Sequence, residues 1–117
     1  MKNLRAGMKQ FELWLANLNP GKGTMMGKVR PVLIVQTDLL NGDHLSTIVC
    51  PLTTNVNPAL ELLRVHVGKK NLESESDIVL DQIQTLDNKR FIKKLGTISE
   101  HQKEQVRENL KILLDLE

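Results

Sequence analysis

Residues 27–37 read GKVRPVLIVQT, and this stretch gives the clearest indication of the fold class. No polar residue interrupts the aliphatic run from Val32 to Val35, a pattern typical of a β-strand that is buried on both faces. The segment PGKGTMMGK at 20–28 is rich in glycine and predicts a mobile loop. Arg30 and Pro31 stand where this loop meets the strand. A guanidinium is therefore expected at a junction between mobile and rigid backbone.

Four other segments have the composition of strands. They are FELWLANL at 11–18, STIVCPLTT at 46–54, ELLRVHV at 61–67 and SDIVLDQIQTL at 76–86. Turn-forming residues lie between them, among them Asn19-Pro20-Gly21 and Asn41-Gly42-Asp43. Short strands at a spacing of about ten to fifteen residues favour a small β-barrel over βαβ units.

The end of the chain changes to helical spacing. From Ser99 to Glu117 the apolar residues recur three or four positions apart, and Ser99 with Gln102 forms the capping-box pattern that begins a helix. Residues 1–8 are polar and aperiodic, and we expect a loose basic tail there. The 117-residue chain thus predicts one domain at 9–117, mainly β with a C-terminal α-helix.

Charge is segregated along a chain whose net charge is only +2. Residues 1–30 carry +5, residues 31–88 carry −5 and residues 89–94 carry +4. These blocks are either solvated surface, or the first loop and the 89–94 segment flank one groove for an anion. The cations of the loop are Lys22, Lys28 and Arg30. With only three aromatic residues, the chain is a poor candidate for a protein that stacks nucleic-acid bases on rings.

Several classes of protein lack their motifs here. The chain has no HExxH, CxxC, P-loop or GxSxG pattern, which argues against a zinc protease, a redox pair, an NTPase and a serine hydrolase. No metal or cofactor is expected. Cys50 lies in an apolar run, where a buried hydrophobe is the default, and His44, His66 and His101 are expected at the surface without partners. One cysteine and no secretory signal or membrane-spanning run predict a cytoplasmic protein.

A few polar residues stand out within the predicted strands. Arg30 can hold a phosphate with two hydrogen bonds and stays charged at any working pH. Thr53 and Thr54 end the 46–54 strand, where either β-propensity and turn chemistry or a functional hydroxyl would explain them. Asp81 and Gln82 interrupt an otherwise apolar strand and must be paired or functional, because burying them alone costs a few kcal/mol.

Four blocks of sequence occur in a specific order between about Lys9 and Ser99. They are FELWLANLNPGKG, GKVRPVLIVQTDLLN, VCPLTTN and SDIVLDQIQTLDNKRFIKKLG. Together they resemble the MazF/PemK family of toxin endoribonucleases from bacterial toxin-antitoxin systems. The resemblance implies a small SH3-like β-barrel that forms a homodimer. It also implies a metal-independent enzyme that cleaves single-stranded RNA, often mRNA, by attack of the ribose 2′-hydroxyl, leaving 2′,3′-cyclic phosphate and 5′-hydroxyl ends.

The resemblance also implies partners and site residues. The partners are single-stranded RNA and a cognate antitoxin, with operator DNA contacted only through that antitoxin. Arg30 matches the catalytic arginine of the family's RP dipeptide, and Thr53 matches the catalytic threonine of its PLT segment. Which group takes the 2′ proton stays open among Arg30, Thr53 and a water molecule. The residues expected to contact RNA are Thr24, Lys28, Asp81 and Gln82.

Two positions depart from the family pattern. Met25 stands where the first loop usually has a glutamate, and Gln84 replaces the arginine of the DQIRT motif. These changes remove one charge of each sign near the expected groove. They leave open a second function class, a non-catalytic relative that binds an antitoxin or a protein target such as gyrase. Intact Arg30 and Thr53 favour the enzyme.

Overall fold

A computed structural model describes residues 7–117. This part of the chain forms seven strands and one α-helix, joined by turns and two single-turn 3₁₀ helices at Leu80–Gln82 and Asn88–Arg90. The strands are β1 Glu12–Asn17, β2 Val29–Ile34, β3 Ser46–Thr53, β4 Arg64–Val67, β5 Ser76–Val79, β6 Gln84–Asp87 and β7 Phe91–Thr97, and the helix is α1 Glu100–Leu113. The predicted mainly β fold with a C-terminal helix is confirmed.

The strands form one antiparallel sheet in the order β4-β5-β3-β2-β1-β7, and β6 pairs with β3 outside this path. Strand β3 is the longest and pairs with three others. It pairs with β2 along one edge, while β6 and then β5 pair along the other edge, as the registers Ser46↔Asp87 and Leu52↔Ile78 show. The sheet therefore bends around β3, with open edges at β4 and β7.

The middle of β2 is buried on both faces, as its aliphatic run predicts. Leu33 belongs to one apolar cluster together with residues of β3, β4, β5 and α1. Val32 and Ile34 belong to a second cluster on the other face, which also contains Trp14 and Phe91. All three β2 side chains have no exposed surface. A strand between two cores cannot alternate apolar and polar residues, which explains the unbroken run.

The prediction of one strand over 76–86 is wrong. The chain leaves β5 at Leu80, makes a 3₁₀ turn through Gln82 and begins β6 at Gln84. The Leu80 N–H donates to the Leu63 carbonyl at 2.9 Å, and the Ile83 N–H donates to the Leu80 carbonyl at 3.3 Å. Neither N–H group is therefore available for strand pairing. Asp81 and Gln82 consequently lie in a turn and not inside a strand.

Strand β7 was not predicted, because it does not look like a strand in sequence. Its residues Ile92, Lys93 and Lys94 are all exposed, which breaks the expected alternation. Pairing with β1 across two register irregularities forms the strand. The predicted strand at 61–67 is shortened for a related reason, since its first three residues form a turn and only Arg64–Val67 pair.

The C-terminal helix begins as predicted. The Ser99 side chain accepts from the Gln102 N–H at 3.1 Å, and the Gln102 side chain accepts from the Ser99 N–H at 2.8 Å. Val106 is fully buried, and the Arg107 guanidinium lies 4.9 Å from the centre of the Phe11 ring. Within the described range, no helix has the length and apolar character needed to cross a membrane.

Most of the predicted N-terminal tail, residues 1–6, lies outside the described residues. Its last residue, Met8, is described and packs in the second apolar cluster with 1% of its surface exposed.

Candidate active site

The two residues with the strongest chemical signal come from neighbouring strands. Strands β2 and β3 pair with Val32 opposite Pro51. Because the strands are antiparallel, continuing this register by two residues places Arg30 opposite Thr53. Both side chains line the same cavity of about 910 Å³. The register thus brings together two groups that are 23 positions apart in sequence.

The cavity is cationic and draws on several parts of the fold. Its lining includes the start of β2, the end of β3, the 70–76 segment before and into β5, and β7. Four of its lining residues are cations and one is a carboxylate. They are Lys28, Arg30, Lys70, Lys93 and Glu73. A concave surface with this excess of positive charge attracts the phosphates of a nucleic acid.

Arg30 is half-buried and oriented by the loop that precedes it. Its Nε–H donates to the Gly27 carbonyl at 2.8 Å. This bond uses one of the five N–H donors of the guanidinium and leaves the two terminal nitrogens for an anion. A planar group held at Nε can present its other donors as a fork to a phosphate.

Thr53 is the last residue of β3, and only 9% of its surface is exposed. Its Oγ1 accepts from the Asn55 N–H at 3.1 Å. A hydroxyl is also a donor, so with the acceptor side engaged the O–H remains to donate to a ligand in the cavity. The turn after β3 therefore fixes the orientation of the hydroxyl.

The loop between β1 and β2 is tightly folded at its base. A Cβ on Gly27 would lie 2.6 Å from the Gly21 nitrogen, so this close approach needs glycine. Lys22 and Met25 form an isolated bridge at the tip of the loop. Lys28 has φ +70°, and its N–H donates to Asn19 Oδ1 at 2.6 Å. The sequence predicted a mobile loop, but in the structure its own backbone contacts and the Asn19 side chain hold the base of the loop together.

Gln82 connects this loop to the 3₁₀ turn after β5. Its Oε1 accepts from the Met26 N–H at 3.0 Å, and its Nε2 donates to the Thr24 carbonyl at 2.9 Å. Both groups of the amide are therefore used on the loop backbone. Gln82 has the partners that sequence reasoning required, but these are loop atoms, and the side chain does not line the cationic cavity.

The structure brings only part of the predicted site together. Arg30, Thr53 and Lys28 line the cavity, whereas Thr24, Asp81 and Gln82 do not. Thr24 and Asp81 are exposed, and the Gln82 amide is bonded to the backbone of the first loop. Of the two segments expected to flank one groove, the first loop contributes Lys28 and Arg30 to the cavity lining and the 89–94 segment contributes Lys93.

Other cations of these two segments have different roles. Lys94 pairs with the buried Glu12 at 2.8 Å. Arg90 donates to the carbonyls of Asn17 and Asn19 at the start of the first loop. Lys22 is exposed and does not line the cavity. The charge pattern of the sequence therefore predicted more cations in the groove than these two segments contribute to the cavity lining.

Sequence reasoning missed the wall opposite β2. Lys70, Asn71, Glu73 and Ser74 line the cavity from the segment between β4 and β5. The only sequence feature that pointed to this part of the cavity lining was the charged, turn-like composition of residues 68–76. Asn55, just after β3, was missed as well.

The two departures from the family pattern lie outside the cavity lining. Met25 is at the loop tip, 46% exposed. Gln84 begins β6 and donates from Nε2 to the Gln82 carbonyl at 3.1 Å. Among residues 7–117, no three His, Cys, Asp or Glu side chains are grouped so that they could hold a metal ion.

A protein-family profile described as PemK-like, MazF-like toxin of type II toxin-antitoxin system matches residues 9–114. The chain belongs to this toxin family. Among curated relatives of the PemK/MazF type, an endoribonuclease MazF of Staphylococcus epidermidis is 38% identical over 111 residues, covering 93% of this chain and 92% of the relative. The family read from the RPVLIVQ, PLT and DQI blocks is confirmed.

Solved structures confirm the PemK/MazF fold. MazF from Deinococcus radiodurans superposes with a TM-score of 0.79 at 24% identity, over 93% of this chain and 97% of that chain. A mycobacterial endoribonuclease in complex with its cognate antitoxin superposes with a TM-score of 0.78 at 20% identity, over 95% of this chain and 98% of that chain.

Proposed function

We propose that this PemK/MazF toxin is an endoribonuclease that cleaves single-stranded RNA, mRNA included, without a metal ion. The 2′-hydroxyl of the ribose attacks the neighbouring phosphorus, the bond from phosphorus to the 5′ oxygen breaks, and 2′,3′-cyclic phosphate and 5′-hydroxyl ends result. The 2′ oxygen loses a proton and the 5′ oxygen gains one. The observation that carries the proposal is that Arg30 and Thr53 face one cationic cavity from adjacent strands.

Arg30 supplies positive charge to the reacting phosphate. Negative charge builds on the non-bridging oxygens as the phosphorus becomes five-coordinate, and a fixed guanidinium stabilises that charge more than the charge of the ground state. Because its Nε is held by Gly27, the guanidinium needs little reorganisation to do so. Its permanent charge gives it this electrostatic role at any working pH.

Thr53 donates a hydrogen bond to the same phosphate. Its hydroxyl is oriented by Asn55 and sits at the edge of the cavity, so it can contact an oxygen that Arg30 does not reach. Lys28, Lys70 and Lys93 hold the flanking phosphates, which makes binding sensitive to salt. Because the chain has only three aromatic residues, RNA binding relies on phosphate contacts and polar groups and not on base stacking.

The proposal includes the partners that relatives of this chain have. A mycobacterial endoribonuclease of the same fold was solved with its cognate antitoxin, and a MazE-MazF structure of Deinococcus radiodurans superposes with a TM-score of 0.76. These complexes support an antitoxin partner for this chain, and we further propose a homodimeric active form and a cytoplasmic site of action. Operator DNA is reached only through the antitoxin. We also propose that residues 9–117 form a single domain.

The test is cleavage of a defined single-stranded RNA in EDTA. Wild-type protein is expected to cut it and to leave cyclic phosphate ends, and a 2′-deoxy substitution at the cut position is expected to stop the reaction. Thr53→Val removes the hydroxyl with little change of shape and is expected to lower kcat by about 100-fold or more, whereas Thr53→Ser retains activity. Thr85→Val, on the exposed face of β6, is the matched control.

Three results would contradict the proposal. These are an intact RNA after incubation with folded wild-type protein, a 3′-hydroxyl end formed at the cut position, and full activity of Thr53→Val. Tight antitoxin binding by a protein that leaves RNA intact would instead support the non-catalytic relative.

A further inference from the structure

A cluster of charged side chains lies on β4 and β5, outside the cationic cavity. Asp77, 2% exposed, is opposite His66 in the β4-β5 register and opposite Thr53 in the β3-β5 register. Its Oδ1 lies 3.1 Å from His66 Nδ1, and its Oδ2 accepts from Arg64 Nη1 at 3.1 Å. The sequence expectation that His66 lacks a partner is wrong, because strand pairing supplies one from a distant segment.

The same carboxylate holds the backbone that follows Thr53. Asp77 Oδ2 accepts from the Asn57 N–H at 2.9 Å, and Arg64 Nη1 also donates to the Asn55 carbonyl at 3.1 Å. Asn55 in turn donates its N–H to Thr53 Oγ1. A continuous path of hydrogen bonds therefore leads from Asp77 to the hydroxyl that faces the cavity.

We propose that Asp77 is a positioning residue: together with Arg64 it holds the turn at 54–57 and so fixes the orientation of the Thr53 hydroxyl. This inference rests on the proposed role of Thr53 in RNA cleavage. Asp77 pairs with Thr53 on the neighbouring strand but does not line the cationic cavity, so it does not itself contact RNA in this proposal. A displacement of about 1 Å in a reacting group is enough to lower the rate by about 100-fold, so a remote carboxylate can matter for kcat.

The electrostatics of the cluster support a charged Asp77. Burial favours the neutral acid, but hydrogen bonds from the Asn57 N–H, His66 and Arg64 outweigh it and lower the pKa of this carboxyl. The hydrogen bond to Asp77 is the main cause that raises the pKa of His66, and Glu75, 3.5 Å from Nε2, adds to it.

Arg64, His66 and Asp77 themselves border a second cavity of about 380 Å³. Glu61 and the uncharged Gln105 of α1 also line this cavity, and Glu61 is the one further charged residue of its lining. Gln102 of the same helix donates to the His66 carbonyl.

The experiment compares Asp77→Ala with Asp77→Asn. Alanine removes every acceptor, whereas the asparagine carbonyl can still accept from the Asn57 N–H. We expect Asp77→Ala to lower kcat by about 10- to 100-fold and to speed hydrogen exchange of the Asn57 amide. Asp77→Asn is expected to restore the protection of that amide and most of kcat. Binding of an RNA with a 2′-deoxy cut site is expected to change by no more than about threefold in either variant.

Glu12→Ala is the matched control. Glu12 is also buried and accepts from two N–H groups, Lys9 N and Trp14 Nε1, as well as from Lys94 Nζ. It lies on β1 and does not line the cavity. Its loss is expected to lower the melting temperature while kcat of the folded protein stays at the wild-type value. A drop in kcat that occurs equally in Glu12→Ala would show general loosening and would overturn the positioning role.

Other outcomes are equally decisive. Unchanged kcat in a folded Asp77→Ala protein overturns the proposal. If that variant does not fold, Arg64→Met removes the bond to the Asn55 carbonyl instead, and unchanged kcat there overturns it too. If wild-type protein leaves RNA intact, the proposed function fails, and exchange of the Asn57 amide still decides whether Asp77 holds this turn.

Discussion

Gln82 offers a direct way to measure how strongly the first loop is held. Its amide makes two hydrogen bonds to the loop backbone, to Met26 N and to the Thr24 carbonyl, 56 and 58 positions away in sequence. Gln82→Ala removes both hydrogen bonds without altering the number of residues in the 3₁₀ turn. Because the loop leads directly into Lys28 and Arg30, its order is expected to affect the cavity as well.

The magnitude follows from the two bonds. A hydrogen bond of this kind contributes about 1 kcal/mol net, so the pair contributes about 2 kcal/mol at most. The amide is half-buried, and water replaces part of each bond, which brings the expected loss to about 1 to 2 kcal/mol. With a factor of ten for every 1.4 kcal/mol, opening of the loop becomes about 5- to 30-fold more frequent.

Hydrogen exchange of the Met26 amide measures this opening directly. Protection of that amide is expected to fall by the same about 5- to 30-fold in Gln82→Ala. The value of kcat/KM for RNA cleavage is expected to fall by no more than that factor. Gln84→Ala is the control, since this glutamine is two residues away and donates only to the Gln82 carbonyl.

An unchanged exchange rate at Met26 would contradict a role of Gln82 in holding the loop. It would mean that the bridge between Lys22 and Met25, together with the Asn19 contact, holds the loop without Gln82. A large fall in cleavage with unchanged exchange would instead place Gln82 in contact with RNA, as the family resemblance implies.

Three further predictions concern separate parts of the molecule. Arg30→Ala is expected to lower kcat by about 100- to 1,000-fold with little loss of stability, and Arg107→Ala, which removes the same charge from the helix, leaves kcat unchanged; equal effects would contradict the role of Arg30. The raised pKa of His66 stabilises the fold fully below its ordinary value of about 6.5, and this contribution is lost as pH rises through the folded pKa. Thermal unfolding of wild type and His66→Gln is therefore expected to differ most at low pH, and parallel pH profiles would refute the link. Burial raises the pKa of Cys50 to about 12, with a smaller contribution from Asp81, so the thiol of the folded protein is expected to resist a disulfide reagent at pH 8; rapid labelling without unfolding would contradict this.

Local sequence signals were sufficient where one segment carries the whole pattern. The aliphatic run of β2 predicted a strand buried on both faces, and Ser99 with Gln102 predicted the start of the helix. In both cases the deciding interactions lie within a few residues of one another or depend only on how apolar the segment is. The RP and PLT blocks identified the family by the same kind of local information.

Long-range pairing decided the parts that were predicted wrongly. The 76–86 segment has strand composition throughout, yet it must pair with two different parts of β3. The chain therefore turns at Leu80, whose N–H bonds to Leu63. Strand β7 has three consecutive exposed residues and exists because β1 offers an edge to it.

The amino-acid sequence was sufficient for the mainly β fold, the C-terminal helix and the toxin family, and it predicted Arg30 and Thr53 as the central pair of the site. Tertiary contacts were needed to show that Lys70 lines the same cavity, that Gln82 binds the loop, and that Asp77 pairs opposite Thr53 and contacts His66 and Arg64. The physical reason is register. Strand pairing places residues tens of positions apart within hydrogen-bond distance, and no local propensity specifies which residues will face each other.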